Sequence, residues 1–278
     1  MGFGLTLKKQ LQAEYAKKDR GGAYGLTQRI LAYNSNRIEG STLTEKQTAS
    51  IFETGTLSGD GMDFRTKDIE EMTGHFAMFN YMLETVDLPL SEDLIKQYHF
   101  KLKAGVFEDL ANGYPVGEYK NRRNIVSNIT TALPHEVPEK MQALLEEYEQ
   151  PGNVELPKIA RFHADFERIH PFQDGNGRVG RMIVFKECLR HDICPAIIMD
   201  SQRSHYYHAL SDVQQGTYEP LCELMEESQR QYDQAIREFL PPHTDPVDQS
   251  EEERKATQEF FEREKRIRNA VPETNQTF

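Results

Sequence analysis

Residues 170–181 read His-Pro-Phe-Gln-Asp-Gly-Asn-Gly-Arg-Val-Gly-Arg, and this stretch decides how the chain folds around it. Apolar residues recur at helical spacing on both sides, among them Phe162 and Phe166 before it and Met182 and Ile183 after it. Pro171 tends to end the first helix at His170, because a proline ring cannot continue a helical backbone. The sequence therefore predicts two helices joined by a short loop that contains glycine.

This loop has the composition of a phosphate-binding site. Gly175 and Gly177 permit backbone turns that direct N–H groups outward where the second helix begins. Unpaired N–H groups and the positive end of a helix dipole favour an anion at that position. Arg178 and Arg181 lie three residues apart on one helical face and add fixed cationic donors. An imidazole, a carboxylate, a glycine turn and two guanidinium groups together indicate nucleotide chemistry.

The same run resembles the signature of the Fic family, His-Pro-Phe-x-Asp/Glu-Gly-Asn-Gly/Lys-Arg-x-x-Arg, and matches every specified position. Members of that family mostly transfer AMP from ATP to a hydroxyl side chain of a target protein. The resemblance implies a mainly α fold, a Fic-type helical bundle with a short β-hairpin flap. It also implies that the chain is a protein adenylylyltransferase with ATP as its substrate and Mg²⁺ as its cofactor.

The resemblance also assigns a role to each residue of the run. His170 would be the general base that takes the proton of the target hydroxyl as it attacks the α-phosphate. Asp174 would bind ATP and hold the Mg²⁺ that bridges its phosphates. The remaining residues of the run would also bind ATP. The anion nest would be formed by Gly175, Asn176 and Gly177. The charge on the β- and γ-phosphates would be stabilised by Arg178 and Arg181.

A second motif lies upstream, in the sequence Ser-Asn-Arg-Ile-Glu-Gly of residues 35–40. Ser35 and Glu39 are four residues apart on one helical face, and Gly40 suits a helix end, so an ordinary C-cap is one interpretation. The hexamer also resembles the inhibitory motif of the Fic family, Ser/Thr-x-x-x-Glu-Gly/Asn. By that resemblance Glu39 pairs with Arg181 and occupies the place of the γ-phosphate, so the chain would inhibit itself.

A short β-hairpin is predicted where residues 117–120 are followed by an alternating segment, 124–129. By resemblance it is the flap, which covers the nucleotide and binds the target protein by strand addition. A plain surface hairpin is the alternative. The flap residues expected to contact ATP are Val126, Ser127, Asn128 and Ile129.

Two tyrosines further along the chain complete the predicted nucleotide site. The segment around Tyr206 and Tyr207 resembles the family segment that contacts adenosine, together with a later amide, here Gln214. Tyrosines beside Leu210 are otherwise expected in the core.

Composition limits the classes of partner. A formal net charge of −12 argues against nucleic acid, because binding a phosphate backbone requires a basic face. No apolar run approaches the length that spans a membrane. Three cysteines without a Cys-x-x-Cys pair favour reduced thiols and hence a cytoplasmic protein.

The 278 residues are expected to form one mainly helical domain with extensions. Residues 1–26 are predicted to be an N-terminal helical extension, residues 27–240 the Fic domain with its inhibitory helix at about 27–40, and residues 241–278 a charged tail. Two alternatives to AMP transfer stay open. Glu39 could orient a water that removes AMP from a modified target, or the chain could be a nucleotide-binding regulatory module without turnover. The identity of the target and the formation of a homo-oligomer are also left open.

Overall fold

The computed structural model describes residues 2–57, 64–124 and 131–241, and these ranges contain helices and turns but no strand. The prediction of a mainly α fold is therefore confirmed. The α-helices, in chain order, are α1 (Phe3–Lys17), α2 (Ala23–Ile38), α3 (Glu45–Thr54), α4 (Thr66–Thr85), α5 (Glu92–Lys103), α6 (Phe107–Ala111), α7 (Val137–Tyr148), α8 (Leu156–Ile169), α9 (Asn176–Arg190), α10 (Arg203–Gln214) and α11 (Glu219–Ile236).

The central element of the bundle is α9. Every residue from Asn176 to Leu189 is buried, because α9 packs against α8, α5, α4, α2 and α1. A helix that is surrounded on all sides needs no polar face, which explains why its sequence lacks a clear amphipathic stripe. Phe166, Phe172 and Phe185 are fully buried around it. The loop between α8 and α9 is thus fixed at both ends by the core.

The first helix packs on the same core as the rest of the bundle. Leu7 and Leu11 of α1 are completely buried there. The division at residue 26 stays a prediction. The helix predicted at about residues 27–40 is present as α2, but it begins at Ala23 and ends at Ile38.

A buried ion-pair network lies at the far end of α9, away from the loop. Glu187 accepts hydrogen bonds from the hydroxyl of Tyr148 at 2.9 Å and from Nζ of Lys186 at 2.6 Å. Burial alone would raise the pKa of Glu187, but the hydrogen bond from His191 and the charge of Lys186 hold that pKa at about 2. This carboxylate therefore has a structural role.

The three cysteines, Cys188, Cys194 and Cys222, are buried and free. Among the described helices, none has both the length and the apolar composition needed to cross a membrane. The predicted flap falls largely on residues 125–130, outside the described ranges. Residues 117–124 form turns without a strand, so the hairpin stays a prediction.

Candidate active site

His170 lies at the C-terminal end of α8, where its left-handed backbone (φ 54°) ends the helix as Pro171 predicts. Its Nδ1 is 3.3 Å from the main-chain oxygen of Glu167. Since a carbonyl oxygen can only accept, Nδ1 carries the proton and the lone pair of Nε2 stays available. Burial and then the charge of Lys120 lower the pKa of His170 to about 4, so the ring is neutral near pH 7 and can accept a proton.

Asn176 fixes the loop that follows. Its Oδ1 accepts from the amide of Phe172 at 2.8 Å, and its Nδ2 donates to the carbonyl of Phe172 at 2.9 Å. Gly175 precedes α9 with φ 82°, a conformation that favours glycine. No side chain caps the first N–H groups of α9. The predicted anion site therefore consists of main-chain N–H groups, whereas the side-chain amide of Asn176 is hydrogen-bonded to Phe172 within the loop.

Gly177 does not have the turn conformation that was expected of it. It lies in the first turn of α9 without a positive φ, so that expectation was wrong. Its lack of a side chain has a different reason: a Cβ there would come within 2.2 Å of Oε1 of Glu39 and 2.9 Å of Nη1 of Arg181. The Glu39 carboxylate thus lies against the helix N-terminus where an anion is predicted to bind.

The predicted pair of Glu39 and Arg181 is present. Nη2 of Arg181 donates to Oε1 of Glu39 at 2.7 Å and to the carbonyl of Ser35 at 2.9 Å, and its Nε donates to the Ser35 hydroxyl at 3.0 Å. Burial alone would lower the pKa of Arg181, but Glu39 holds it above its ordinary value. Glu39 is the C-cap of α2, and Gly40 follows with φ 88°. The end of α2 is therefore bound to α9 by one ion pair, from Arg181 to Glu39, and by two hydrogen bonds from Arg181 to Ser35.

Asp174 is half-buried and surrounded by cations. Its Oδ2 accepts from Nζ of Lys103 at 2.8 Å and lies 3.5 Å from Nζ of Lys67. Its Oδ1 lies 3.4 Å from Nη2 of Arg178. Burial alone would raise the pKa of Asp174, but Arg178 and Lys103 hold it well below its usual range. The carboxylate is ionised at any working pH.

Behind Asp174 lies a buried cluster that the sequence did not reveal. Nζ of Lys103 is 2.6 Å from Oε1 of Glu71 and 2.7 Å from Oδ2 of Asp109. Oε2 of Glu71 is 2.5 Å from Nη1 of Arg178, whose side chain is only 2% exposed. The guanidinium of Arg178 is thus bound to α4. The available signal was that Lys103 and Glu71 occupy inward positions of the apolar stripes of α5 and α4, where a charged side chain needs partners.

The three residues predicted to contact adenosine differ in their burial and in their hydrogen bonds. Tyr206 is buried, and its hydroxyl lies 2.8 Å from Nε2 of His163 and accepts from Nη1 of Arg181 at 3.5 Å. Tyr207 is 41% exposed and donates to the carbonyl of Ile38 at 3.2 Å. Gln214 is exposed at the end of α10, and its side chain makes no hydrogen bond to the other described site residues. Only the two tyrosines therefore contact the elements of the site.

The four flap residues expected to contact ATP, Val126, Ser127, Asn128 and Ile129, lie outside the described residues. The segment leading to them is fixed to the loop by Lys120. Its amide donates to the carbonyl of Pro171 at 2.8 Å, and its Nζ donates to Oδ1 of Asn124 at 2.7 Å. Lys120 is another site residue that sequence reasoning assigned no role.

Near the loop, the described residues could hold Mg²⁺ only through a single carboxylate. Within the described ranges, no group of three or more His, Cys, Asp or Glu side chains could hold a metal. Mg²⁺ does not need such a cage, since one carboxylate together with substrate phosphates and water is a normal arrangement. Asp174, ionised and 35% exposed, fits that arrangement.

Comparison with known proteins agrees with this geometry. The profile of the Fic/DOC family matches residues 89–187. The protein adenylyltransferase Fic of Drosophila melanogaster is 28% identical over 200 residues, which cover 68% of this chain and 38% of that protein. The protein of the same name from Nematostella vectensis is 25% identical over 195 residues, covering 68% and 44%. The chain thus spans less than half the length of these curated relatives.

Solved structures support the fold. A Fic domain containing signaling protein from Bacteroides thetaiotaomicron superposes with a TM-score of 0.67 at 26% identity, over 83% of this chain and 96% of that one. Fic-1 from C. elegans superposes with a TM-score of 0.64 at 21% identity, over 84% and 72%. The second likeness shows the fold alone.

Proposed function

We propose that this chain, whose residues 89–187 match the Fic/DOC family profile, is a protein adenylylyltransferase that inhibits itself through Glu39. One observation carries the proposal: the carboxylate of Glu39 lies between Arg181 and the N-terminus of α9, where a nucleotide phosphate would bind. The transferred group would be AMP from ATP, and the acceptor would be a Ser, Thr or Tyr hydroxyl of a target protein bound along the flap predicted at residues 117–129.

His170 supplies the base in this proposal. The proton of the target hydroxyl passes to Nε2 of His170 as the hydroxyl oxygen forms a bond to the α-phosphorus. The bond from that phosphorus to pyrophosphate breaks, and its electron pair leaves with pyrophosphate. A neutral ring supports this role, because a base must be unprotonated before it acts.

Asp174 and the arginines handle the phosphate charge. Mg²⁺, held by Asp174, would neutralise charge on the phosphates. The N–H groups at the start of α9 and the guanidinium of Arg181 would bind the oxygens of the β- and γ-phosphates. The guanidinium of Arg178 is already held in place by Glu71, which reduces the reorganisation needed when ATP binds.

Glu39 opposes this arrangement by competition for Arg181. While the carboxylate is bound at 2.7 Å, the γ-phosphate cannot reach the same Nη2, and repulsion between the two anions adds to the conflict. ATP would then bind in a pose whose α-phosphate is misplaced for attack. By the same logic α2, together with Glu39 at its end, would be the inhibitory helix predicted at about residues 27–40.

The direct test is incubation of the purified protein with ATP labelled on the α-phosphate, followed by detection of labelled protein. Wild type should label itself or proteins of a lysate slowly, and Glu39→Gly should label them faster. Release of AMP from a premodified protein by wild type would favour the reverse, hydrolytic activity. ATP binding with no labelling by either protein would favour a regulatory module.

The proposed compartment is the cytoplasm, and the buried, free thiols of the three cysteines are consistent with it. Fractionation of cells can test this localisation.

A further inference from the structure

A largely buried carboxyl group lies beside the proposed base, and one of its oxygens has no hydrogen-bond partner among the described residues. Glu167 is one helical turn before His170 on α8, and its side chain is only 11% exposed. Its Oε2 is 3.9 Å from Nδ1 of His170. Its Oε1 is buried and accepts no hydrogen bond from any described residue. Burial of a carboxyl group without a partner destabilises a fold, so such a group calls for a functional explanation.

The bundle is shaped to accommodate this carboxyl group. A Cβ at Gly180 would come within 2.8 Å of Oε1 of Glu167 and 2.9 Å of the ring of His163. The absence of a side chain at Gly180 therefore lets α9 approach α8 over both residues. The contrast with Glu187 is informative, since that buried carboxylate is hydrogen-bonded to Tyr148 and Lys186.

We propose that Glu167 is a positioning residue for His170: its carbonyl fixes the proton on Nδ1, and its carboxylate stabilises the imidazolium that forms during transfer. This inference rests on the proposed function and adds a residue to it. No proton moves to Glu167 in the step. The hydroxyl proton ends on Nε2, and the carboxylate 3.9 Å from Nδ1 offsets the new positive charge.

Because the charge state of Glu167 depends on pH, the proposal predicts that the rate of transfer depends on pH. Burial raises the pKa of Glu167 to about 8, Arg181 opposes that rise and Glu39 adds to it. The carboxyl group would then be neutral near pH 7 and ionised above pH 8. The other titratable or charged groups near the pair are Lys120, Asp174, His163 and Tyr206. Transfer should therefore accelerate as pH rises through the region where Glu167 loses its proton.

Stability should change in the opposite direction. Between the ordinary carboxyl pKa of 4.5 and the folded value of about 8, the folded protein binds one more proton at Glu167 than the unfolded chain does. The contribution of Glu167 to stability is therefore full below pH 4.5 and is lost as pH rises toward 8. Replacement by glutamine removes this loss. A purely structural residue would not behave so, because its removal lowers the melting temperature.

The experiment compares Glu167→Gln with Glu187→Gln, each in the Glu39→Gly background, by transfer kinetics, ATP affinity and melting temperature. Above pH 8, where Glu167 is ionised, we expect Glu167→Gln to lower kcat by about 10-fold or more. We also expect it to leave the Kd for ATP unchanged, to abolish the alkaline rise in rate, and to melt no lower than its parent at pH 8. Glu187→Gln should melt lower and keep the parent's pH profile. Unchanged kcat and pH profile in Glu167→Gln would overturn the proposal, and so would a loss of rate matched by a loss of ATP affinity.

A second measurement does not depend on transfer. If the Glu39→Gly parent labels nothing, the proposed function fails, and the role of Glu167 is then decided by NMR of labelled histidine in the wild-type protein. We expect the His170 ring signals to show an inflection near pH 8, the pKa of Glu167, which is absent in Glu167→Gln. Identical titration curves in the two proteins would overturn the inference.

Discussion

At the scale of single residues, the candidate site combines a neutral imidazole, the proposed base, with charges that are already ordered. His170 is held by the end of α8 and by its Nδ1 contact, so the available lone pair of Nε2 has a defined direction. Arg181 and Asp174 each contact oppositely charged side chains. Such ordering reduces the reorganisation needed when the charge of the transition state develops.

The first prediction concerns the base. We expect His170→Ala to reduce transfer by ~10²–10⁴-fold, the usual contribution of a positioned general base. The Kd for ATP should change little, because the ring is expected to contact the target hydroxyl and not the nucleotide. Labelling with ATP and isothermal titration measure the two quantities. The exposed His208 provides a control, since His208→Ala should leave both unchanged. Wild-type transfer by His170→Ala would show that another group is the base.

The second prediction concerns the metal carboxylate. We expect Asp174→Ala to abolish transfer and to weaken the dependence of ATP binding on Mg²⁺, because one carboxylate is the only protein ligand in this proposal. Titration of ATP with and without excess chelator measures that dependence. Asp87→Ala, which removes a surface carboxylate paired with Lys8, should resemble wild type. Full transfer by the wild type in excess chelator would contradict the assignment.

At the scale of elements, the contact between the end of α2 and the start of α9 is the essential one. Glu39 reaches α9 across a gap that Gly177 leaves open, and Ser35 adds two hydrogen bonds to Arg181. A double-mutant cycle can isolate this contact, because two substitutions that share an interaction do not add.

The third prediction uses that cycle. We expect Gly177→Ala to destabilise the nucleotide-free protein by about 1–3 kcal/mol, because the new methyl group collides with the Glu39 carboxylate. In the Glu39→Gly background the cost should be much smaller. Gly180→Ala is the matched control: its methyl group would meet Glu167 and His163 but not Glu39, so its cost should be equal in both backgrounds. Chemical denaturation gives the values. Additive effects of Gly177→Ala and Glu39→Gly would show that the two residues do not touch.

The sequence was most informative where the same short stretch determines both the ends of the helices and the chemistry of the site. Pro171 and Gly175 predicted the helix end and the turn, and the structure has both. The pair of Glu39 and Arg181 could be inferred only through the family resemblance, since 142 residues separate them. Glu71 and Lys103 could not be assigned, because their meaning depends on the packing of α4 against α5. Gly177 was misinterpreted for the same reason, since its neighbour belongs to another helix.

At the scale of the whole molecule, the proposed function links inhibition to stability through α9. This helix is the centre of the bundle, and Glu39 stabilises it by pairing with Arg181. Removal of one partner of a buried pair costs ~3–5 kcal/mol, and less is expected here because Glu39 is 29% exposed. In the proposed function ATP would replace the lost carboxylate, since its phosphates would bring an anion to the same guanidinium.

The fourth prediction follows from this exchange. Without ATP, Glu39→Gly should melt at a lower temperature than wild type, because Arg181 loses its anion. At the same high ATP concentration the melting temperature of the variant should rise more than that of wild type, since the stabilisation by a ligand grows with the logarithm of its affinity for the folded state. Differential scanning fluorimetry with and without ATP and Mg²⁺ checks both statements. Equal ATP-induced shifts for the two proteins would argue against competition at Arg181.

The most direct measurement of self-inhibition is the rate at which Glu39→Gly transfers labelled AMP, compared with wild type at equal concentration and with Glu39→Gly/His170→Ala as the blank. If the inhibited state outweighs the open one by about 99 to 1, a change of ~3 kcal/mol makes the open state predominant. We therefore predict labelling at least ~10-fold faster in Glu39→Gly than in wild type, and ~10²–10⁴-fold slower in the double variant than in Glu39→Gly. Equal or slower labelling by Glu39→Gly, in protein shown to be folded, would contradict self-inhibition and leave residues 35–40 as an ordinary helix end.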